Sequence, residues 1–193
     1  MAFILPILPE AKAVFSAYGI PTVETHIAKD PATAAILAKQ MGFPVALKIL
    51  SNDISHKSDV GGVALNLDTE VAVETAAEHM LIRAATAKPD AVITGFTVQK
   101  MAPRSGAHEL IVGMTTDPLF GPVILFGEGG TAVEVIADRA VALPPLNMSL
   151  AKELISRTRI SKLLNGYRDQ PAANIDAICL TLMQIAQLTI EIP

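Results

Sequence analysis

The run Val45-Ala-Leu-Lys-Ile49 holds the first residue whose placement calls for chemistry. In an extended chain Val45, Leu47 and Ile49 share one face, and Ala46 and Lys48 share the other. An ammonium group in so apolar a segment loses hydration unless an anion meets it. A nucleotide phosphate is one such anion. An edge strand whose lysine stretches along the surface to water accommodates the same pattern, and periodicity leaves both readings open.

A second candidate is the loop Ser55-His-Lys-Ser-Asp-Val-Gly-Gly-Val63. Paired glycines such as Gly61 and Gly62 let backbone N–H groups approach a phosphate closely, and Ser55, Lys57 and Ser58 add donors beside them. A histidine in such a loop, His56, can act as a general acid or base or accept a phosphoryl group as a nucleophile. A polar hairpin with a solvated histidine is the plain alternative. The other histidines carry less: His26 closes a strand, His79 lies on the polar side of a helix, and His108 precedes a strand.

The third candidate, Phe126-Gly-Glu-Gly-Gly-Thr-Ala132, fits a loose G-x-G-x-x-A pattern through Gly127, Gly129 and Ala132. That dinucleotide fingerprint requires a helix next. The β-branched run Val133-Glu-Val-Ile136 favours a strand instead, so a tight turn, structural or phosphate-adjacent, is the reading that remains. No Walker A loop, G-x-S-x-G elbow or H-E-x-x-H helix occurs.

The elements that must position these residues follow from periodicity and punctuation. Helices are expected over about 9–18, 31–41, 69–87, 149–156 and 174–189, the second with Asp30 as N-cap, Pro31 at its first position and Gly42 as stop. Strands are expected over 22–27, 45–49, 63–67, 94–101, 109–115 and 122–126, with the turn 102–106 joining two of them. Pro89 marks a change of pattern. Strands separated by helices, with antiparallel-looking pairs, argue for an α/β or α+β chain in two lobes.

Composition narrows the function classes. The 193 residues are 51 % hydrophobic and 18 % charged with a net charge of −4, which excludes a disordered chain. Without a basic stripe and with only 4 % aromatics, nucleic acid is excluded as a partner. No apolar run is long enough to span a bilayer. The single cysteine, Cys179, sits among Ile178, Leu180 and Leu182 as a core thiol, in keeping with a reducing, cytoplasmic setting.

In order and spacing these segments resemble the ATP-grasp domain of ADP-forming acyl-CoA synthetases. The stretches are Ala17-Tyr-Gly-Ile-Pro21, Gly42-Phe-Pro-Val-Ala-Leu-Lys-Ile49, Ser55-His-Lys-Ser-Asp-Val-Gly-Gly-Val63, Glu109-Leu-Ile-Val-Gly113, Asp117-Pro-Leu-Phe-Gly-Pro122 and Phe126-Gly-Glu-Gly-Gly130. The resemblance runs from about Pro9 onward and implies a two-lobed ATP-grasp fold holding ATP or ADP. The larger lobe is expected over 1–24 plus 95–193, and the smaller one, with the Lys48 strand and the His56 loop, over 25–94. It implies Lys48 on the α- and β-phosphates, Gln99, Lys100 and Met101 as the hinge against adenine, and Glu109 on the ribose side. Gly61 and Gly62 would serve the phosphate loop. His56 would carry a phosphoryl group between the CoA-binding half, the implied partner, and the nucleotide.

The family continues into an acidic strand, Asp-x-Asn-Pro-Leu, that supplies magnesium ligands, whereas this sequence ends at Ile190-Glu-Ile-Pro193. The resemblance therefore places the Mg²⁺ ligands mainly beyond residue 193 and implies a fragment inactive by itself. Metal ligands within the chain stay unknown, with Glu134 and Asp138 the acids that could approach a cation. The run 140–151 is most like the form of the family fused to a GNAT-type protein lysine acetyltransferase. This implies an alternative role as a non-catalytic regulatory domain, beside a third reading as a plain glycine-rich α/β binding domain.

Overall fold

The structure, a computed structural model, describes residues 9–54, 56–101, 107–130 and 133–192. They fall into two compact units: residues 22–101 together with the start of the first helix up to Lys12, and residues 13–21 together with 107–192.

The first unit is built on strands β1 (Thr25–Ala28), β2 (Val45–Leu50), β3 (Val63–Leu67) and β4 (Gly95–Lys100), with helices α2 (Pro31–Met41) and α3 (Glu70–Ala87). Helix α2 follows its punctuation: Asp30 accepts the Thr33 N–H at 2.7 Å, Pro31 opens the helix, and Gly42 ends it at φ 79°. Thr69 caps α3 by accepting the Ala72 N–H. All strand pairs are antiparallel, in the order β1-β4-β2-β3. One core joins Val45, Leu47 and Ile49 of β2 to Phe96 and Val98 of β4 and to Ala34, Ala38, Val73 and Met80 of the helices. The opposite face of β2 carries Ala46 and Lys48, as alternation requires.

The second unit holds most of helix α1 (Pro9–Ala17), a meander of β5 (Leu110–Asp117), β6 (Gly121–Glu128) and β7 (Arg139–Ala142), and helices α4 (Val133–Ile136), α5 (Met148–Ser156), α6 (Ser161–Leu164) and α7 (Ile175–Glu191). Helices α5 and α7 bury Leu154, Ile155, Leu182 and Ile185 together with Ile124 and Phe126 of β6. Cys179 is buried in this core, and burial pushes its thiol pKa up, as suits an inert core thiol. No described helix is long and apolar enough to cross a membrane.

Several expectations are corrected. Strand β4 pairs with both β1 and β2, so 95–101 belongs with the first unit rather than opening the larger lobe. Residues 94–101 and 109–115 lie in different sheets, and the turn 102–106 lies outside the described residues. Val133–Ile136 is a single helical turn despite its β-branched residues: the Ala137 N–H closes on Val133 O, and Ala137 at φ 48° redirects the chain into β7. With β6 antiparallel to both neighbours, a parallel dinucleotide-binding unit is excluded there.

The reading of Asp138 as a cation ligand is also corrected. Asp138 is buried, and its two oxygens accept the N–H groups of Arg159 at 2.8 Å and Ile160 at 2.7 Å, with the Arg159 guanidinium alongside. The carboxylate thus ties the start of β7 to the α5–α6 junction. The side chain of Glu134 lies outside the described residues. Burial alone would raise the Asp138 pKa, but these donors outweigh it and hold the group below the ordinary aspartate value.

Its contribution is therefore complete above the unfolded value of about 4 and is lost as pH falls through the lower folded value. Asp138→Ala leaves two N–H groups without acceptors and should cost about 2–4 kcal/mol at pH 7. Urea unfolding of both proteins at pH 7 and pH 3 checks this. The gap between them should shrink at the lower pH, and a gap independent of pH would show that the carboxylate is not the anchor.

Candidate functional site

Lys48 sits mid-strand on β2, which β4 and β3 flank on either side. The surface-edge reading is thereby excluded, because Lys48 pairs with Thr97 on one neighbour and Val63 on the other. Lys48 is half-buried, and its ammonium donates to Gln99 Oε1 at 3.4 Å, near the long limit for such a bond. Gln99 is two residues along β4 from the Thr97 position and so shares Lys48's face.

Two further lysines approach this face. Lys57 donates to Ile54 O at 3.4 Å, and Lys12 donates to Val23 O at 2.7 Å and to the Thr25 hydroxyl. Burial first, and then the Lys48 cation, holds both ammonium groups below the usual lysine value. Lys48 stands close enough to repel each of them, so this side of the sheet gathers positive charge of the kind a polyanion meets. Sequence reasoning missed Lys12. It lies in an amphipathic helix between two alanines, and only the return of the chain through Val23 and Thr25 brings it to the sheet.

The loop after β2 has firm ends. Ile54 and Val60 are buried, Asp53 accepts the Val92 N–H at 2.8 Å, and Lys57–Val60 forms one 3₁₀ turn. His56 stands exposed at the head of that turn, and its imidazole meets no hydrogen-bond partner among the described residues. The placement of Ser55 lies outside the described residues.

The two glycines do something other than cradle a phosphate. The Gly61 N–H closes on Ser58 O at 3.0 Å, and the Gly62 N–H on Lys57 O at 2.8 Å, so neither donor points to a ligand. Gly61 is required for its left-handed φ of 64°. A side chain at Gly62 would come within 2.5 Å of Ile49 Cδ1. Gly62 O also accepts the Ile49 N–H at 2.9 Å, which hooks the loop to the Lys48 strand.

The hinge residues divide. Gln99 joins the Lys48 face. Lys100 turns away and donates to Met41 O at 3.0 Å, at the end of α2. The Lys100 and Met101 N–H groups close on Glu24 O and Pro44 O, so their backbone donors are already engaged.

In the second unit, Glu109 precedes β5 and is exposed, with its carboxylate over Gly130: a Cβ there would lie 3.1 Å from Glu109 Oε2. Gly127 and Gly129 are close-approach positions. A Cβ at Gly127 would lie 2.2 Å from Asp138 O, and the Gly129 N–H donates to Glu109 O at 2.8 Å. The glycine-rich run therefore lets backbone segments pack and holds Glu109 at its end. Among the described residues no group of three or more metal-ligating side chains exists.

Comparison with known proteins agrees with this geometry. A family model described as an ATP-grasp domain matches residues 7–193. The ADP-forming acetate–CoA ligase I of Archaeoglobus fulgidus is 40 % identical over 184 residues, covering 95 % of this chain and 26 % of that protein. The beta subunit of the ADP-forming acetate–CoA ligase I of Pyrococcus furiosus is 35 % identical over 185 residues, covering 96 % of this chain and 79 % of the subunit. This chain thus spans about a quarter of the first relative and about four fifths of the second.

Among solved structures, acetyl-coenzyme A synthetase 1 of Ca. Korarchaeum cryptofilum, in complex with coenzyme A and Ca-AMPCP, superposes with a TM-score of 0.88 at 38 % identity, over 94 % of this chain and 79 % of that one. Another structure of that enzyme, with Mg-AMPPCP and its phosphohistidine segment pointing towards the nucleotide binding site, has a TM-score of 0.77 at 35 % identity, over 94 % of this chain and 77 % of that one. The chain belongs to the ATP-grasp domain family and corresponds to the ATP-grasp part of ADP-forming acyl-CoA synthetases.

Proposed function

We propose that this chain binds ADP and ATP as the nucleotide module of an ADP-forming acetyl- or acyl-CoA synthetase, a ligase of the reducing cytoplasm whose CoA-binding half is its partner. The observation that carries this reading is the cationic face around Lys48. Lys48 held mid-sheet, with Lys12 and Lys57 within coulombic reach of it, offers a phosphate chain several cations on one side of the sheet. Gln99 orients Lys48 in this reading. The strand end at Lys100 and Met101 would flank adenine without its N–H groups or the Lys100 ammonium, which are engaged elsewhere, and Glu109 would serve the ribose.

His56 supplies the nucleophile. Its imidazole nitrogen attacks the phosphorus delivered by the CoA-binding half, so that an N–P bond forms as the P–O bond to the leaving carboxylate breaks. A terminal phosphate oxygen of ADP then attacks the same phosphorus, the N–P bond breaks, and ATP leaves with the imidazole restored. Dividing the transfer this way replaces one long step by two short ones, and the protein's part is chiefly positioning and charge. Exposure of His56 on a loop with anchored ends suits a group that must meet donor and acceptor in turn.

Magnesium, which such chemistry uses to neutralise phosphate oxygens, does not fit the described residues. They offer no cluster of ligands, and both Asp138 oxygens are engaged.

Two experiments test the reading. Lys48→Met should weaken ADP binding by about 1–4 kcal/mol in isothermal titration, and equal affinity of variant and wild type would remove Lys48 from the site. His56→Ala in the full-length protein should abolish acyl-CoA synthesis while ADP affinity stays near that of the wild type. Intact synthesis in that variant would refute the shuttle. A wild-type protein without synthesis that still controls a lysine acetyltransferase would overturn the ligase reading.

A further inference from the structure

The phosphate-binding role given to Lys48 leaves another cation on the same face without a task. Lys12 is half-buried, and Val23 O and the Thr25 hydroxyl account for two of its three ammonium hydrogens. Among the described residues Lys12 meets no carboxylate, in contrast to Lys39, which pairs with Glu70, and Lys152, which pairs with Asp176.

Thr25 pairs with Gln99 across β1 and β4, Gln99 pairs with Ala46 across β4 and β2, and Gln99 Oε1 accepts from Lys48. Lys12, Thr25, Gln99 and Lys48 therefore form one polar line across three strands. With strands spaced at about 4.8 Å, the line is about 10 Å long, enough to bracket a di- or triphosphate.

A lysine serving only to fasten α1 would gain nothing from standing within reach of the Lys48 cation. Solvent or a carboxylate would stabilise it better. An anion laid along the line relieves the repulsion and uses the remaining ammonium hydrogen.

We propose that Lys12 is an additional phosphate-binding residue of the nucleotide site, holding the phosphate chain from the β1 side while Lys48 holds it from β2. This rests on the nucleotide reading above and extends it to a residue outside the motifs that carry that reading.

The test is isothermal titration of the chain with ADP and with AMP, for wild type, Lys48→Met, Lys12→Met, Lys12→Gln and Lys12→Arg. Lys12→Met should weaken ADP by about tenfold, with a smaller loss for AMP, and Lys12→Arg should recover most of it. Lys12→Gln keeps a donor for Val23 O but removes the charge, so it separates tether from cation. It should bind ADP as poorly as Lys12→Met while its thermal midpoint without nucleotide stays at or above that of wild type.

If Lys12→Gln binds ADP like wild type and Lys12→Met only lowers the midpoint, Lys12 is a tether and this inference falls alone. If wild type itself binds no ADP, the nucleotide reading falls and takes this one with it. Loss of ADP binding in Lys48→Met with full binding in all three Lys12 variants likewise overturns only the role of Lys12.

Discussion

A positive charge held in the middle of a sheet is the constraint on which the first unit turns. Lys48 can occupy β2 only if the core face of that strand is left to apolar side chains and its own face offers polar neighbours. The fold meets both demands: Val45, Leu47 and Ile49 are fully buried against α2 and α3, while the Lys48 face gathers Thr25, Thr97 and Gln99. The antiparallel order β1-β4-β2-β3 places this strand inside the sheet, where paired neighbours hold it rigid. A cation on a rigid strand is preorganised for its anion, because little side-chain or backbone order remains to be established on binding.

The same strand fixes the histidine loop. The Ile49 N–H donates to Gly62 O, so the residue after Lys48 holds the far end of the loop that begins near His56. Gly62 has no room for a side chain beside Ile49, and Gly61 needs a left-handed turn. The glycines therefore serve the fit between loop and strand. This arrangement keeps an exposed imidazole a short distance along the chain from the Lys48 strand.

Much of this was legible in the sequence where local rules and tertiary demands agree. Asp30, Pro31 and Gly42 delimit α2 because capping is a matter of neighbours along the chain. The apolar alternation of 45–49 gives both the strand and the face on which Lys48 lies. Sequence alone could not say whether the strand was central or at an edge, since pairing partners lie far along the chain. The pairing of 95–100 with β1 and β2, rather than with residues after it, escaped for the same reason.

The remaining misses mark the points where tertiary contacts override local preference. Val133–Ile136 reads as a strand by its β-branched residues, yet it lies in the connection between the antiparallel β6 and β7, where a helical turn closed by Ala137 leads the chain back. Asp138 reads as a free acid near a glycine-rich motif, but its oxygens are engaged by backbone donors more than twenty residues away in sequence. Gly61 and Gly62 read as a phosphate cradle because paired glycines often are one, and only the closure of their N–H groups on Ser58 and Lys57 shows otherwise. Each case concerns where a hydrogen-bonding group finds its partner. Residue type bounds that choice, and only the folded chain decides it.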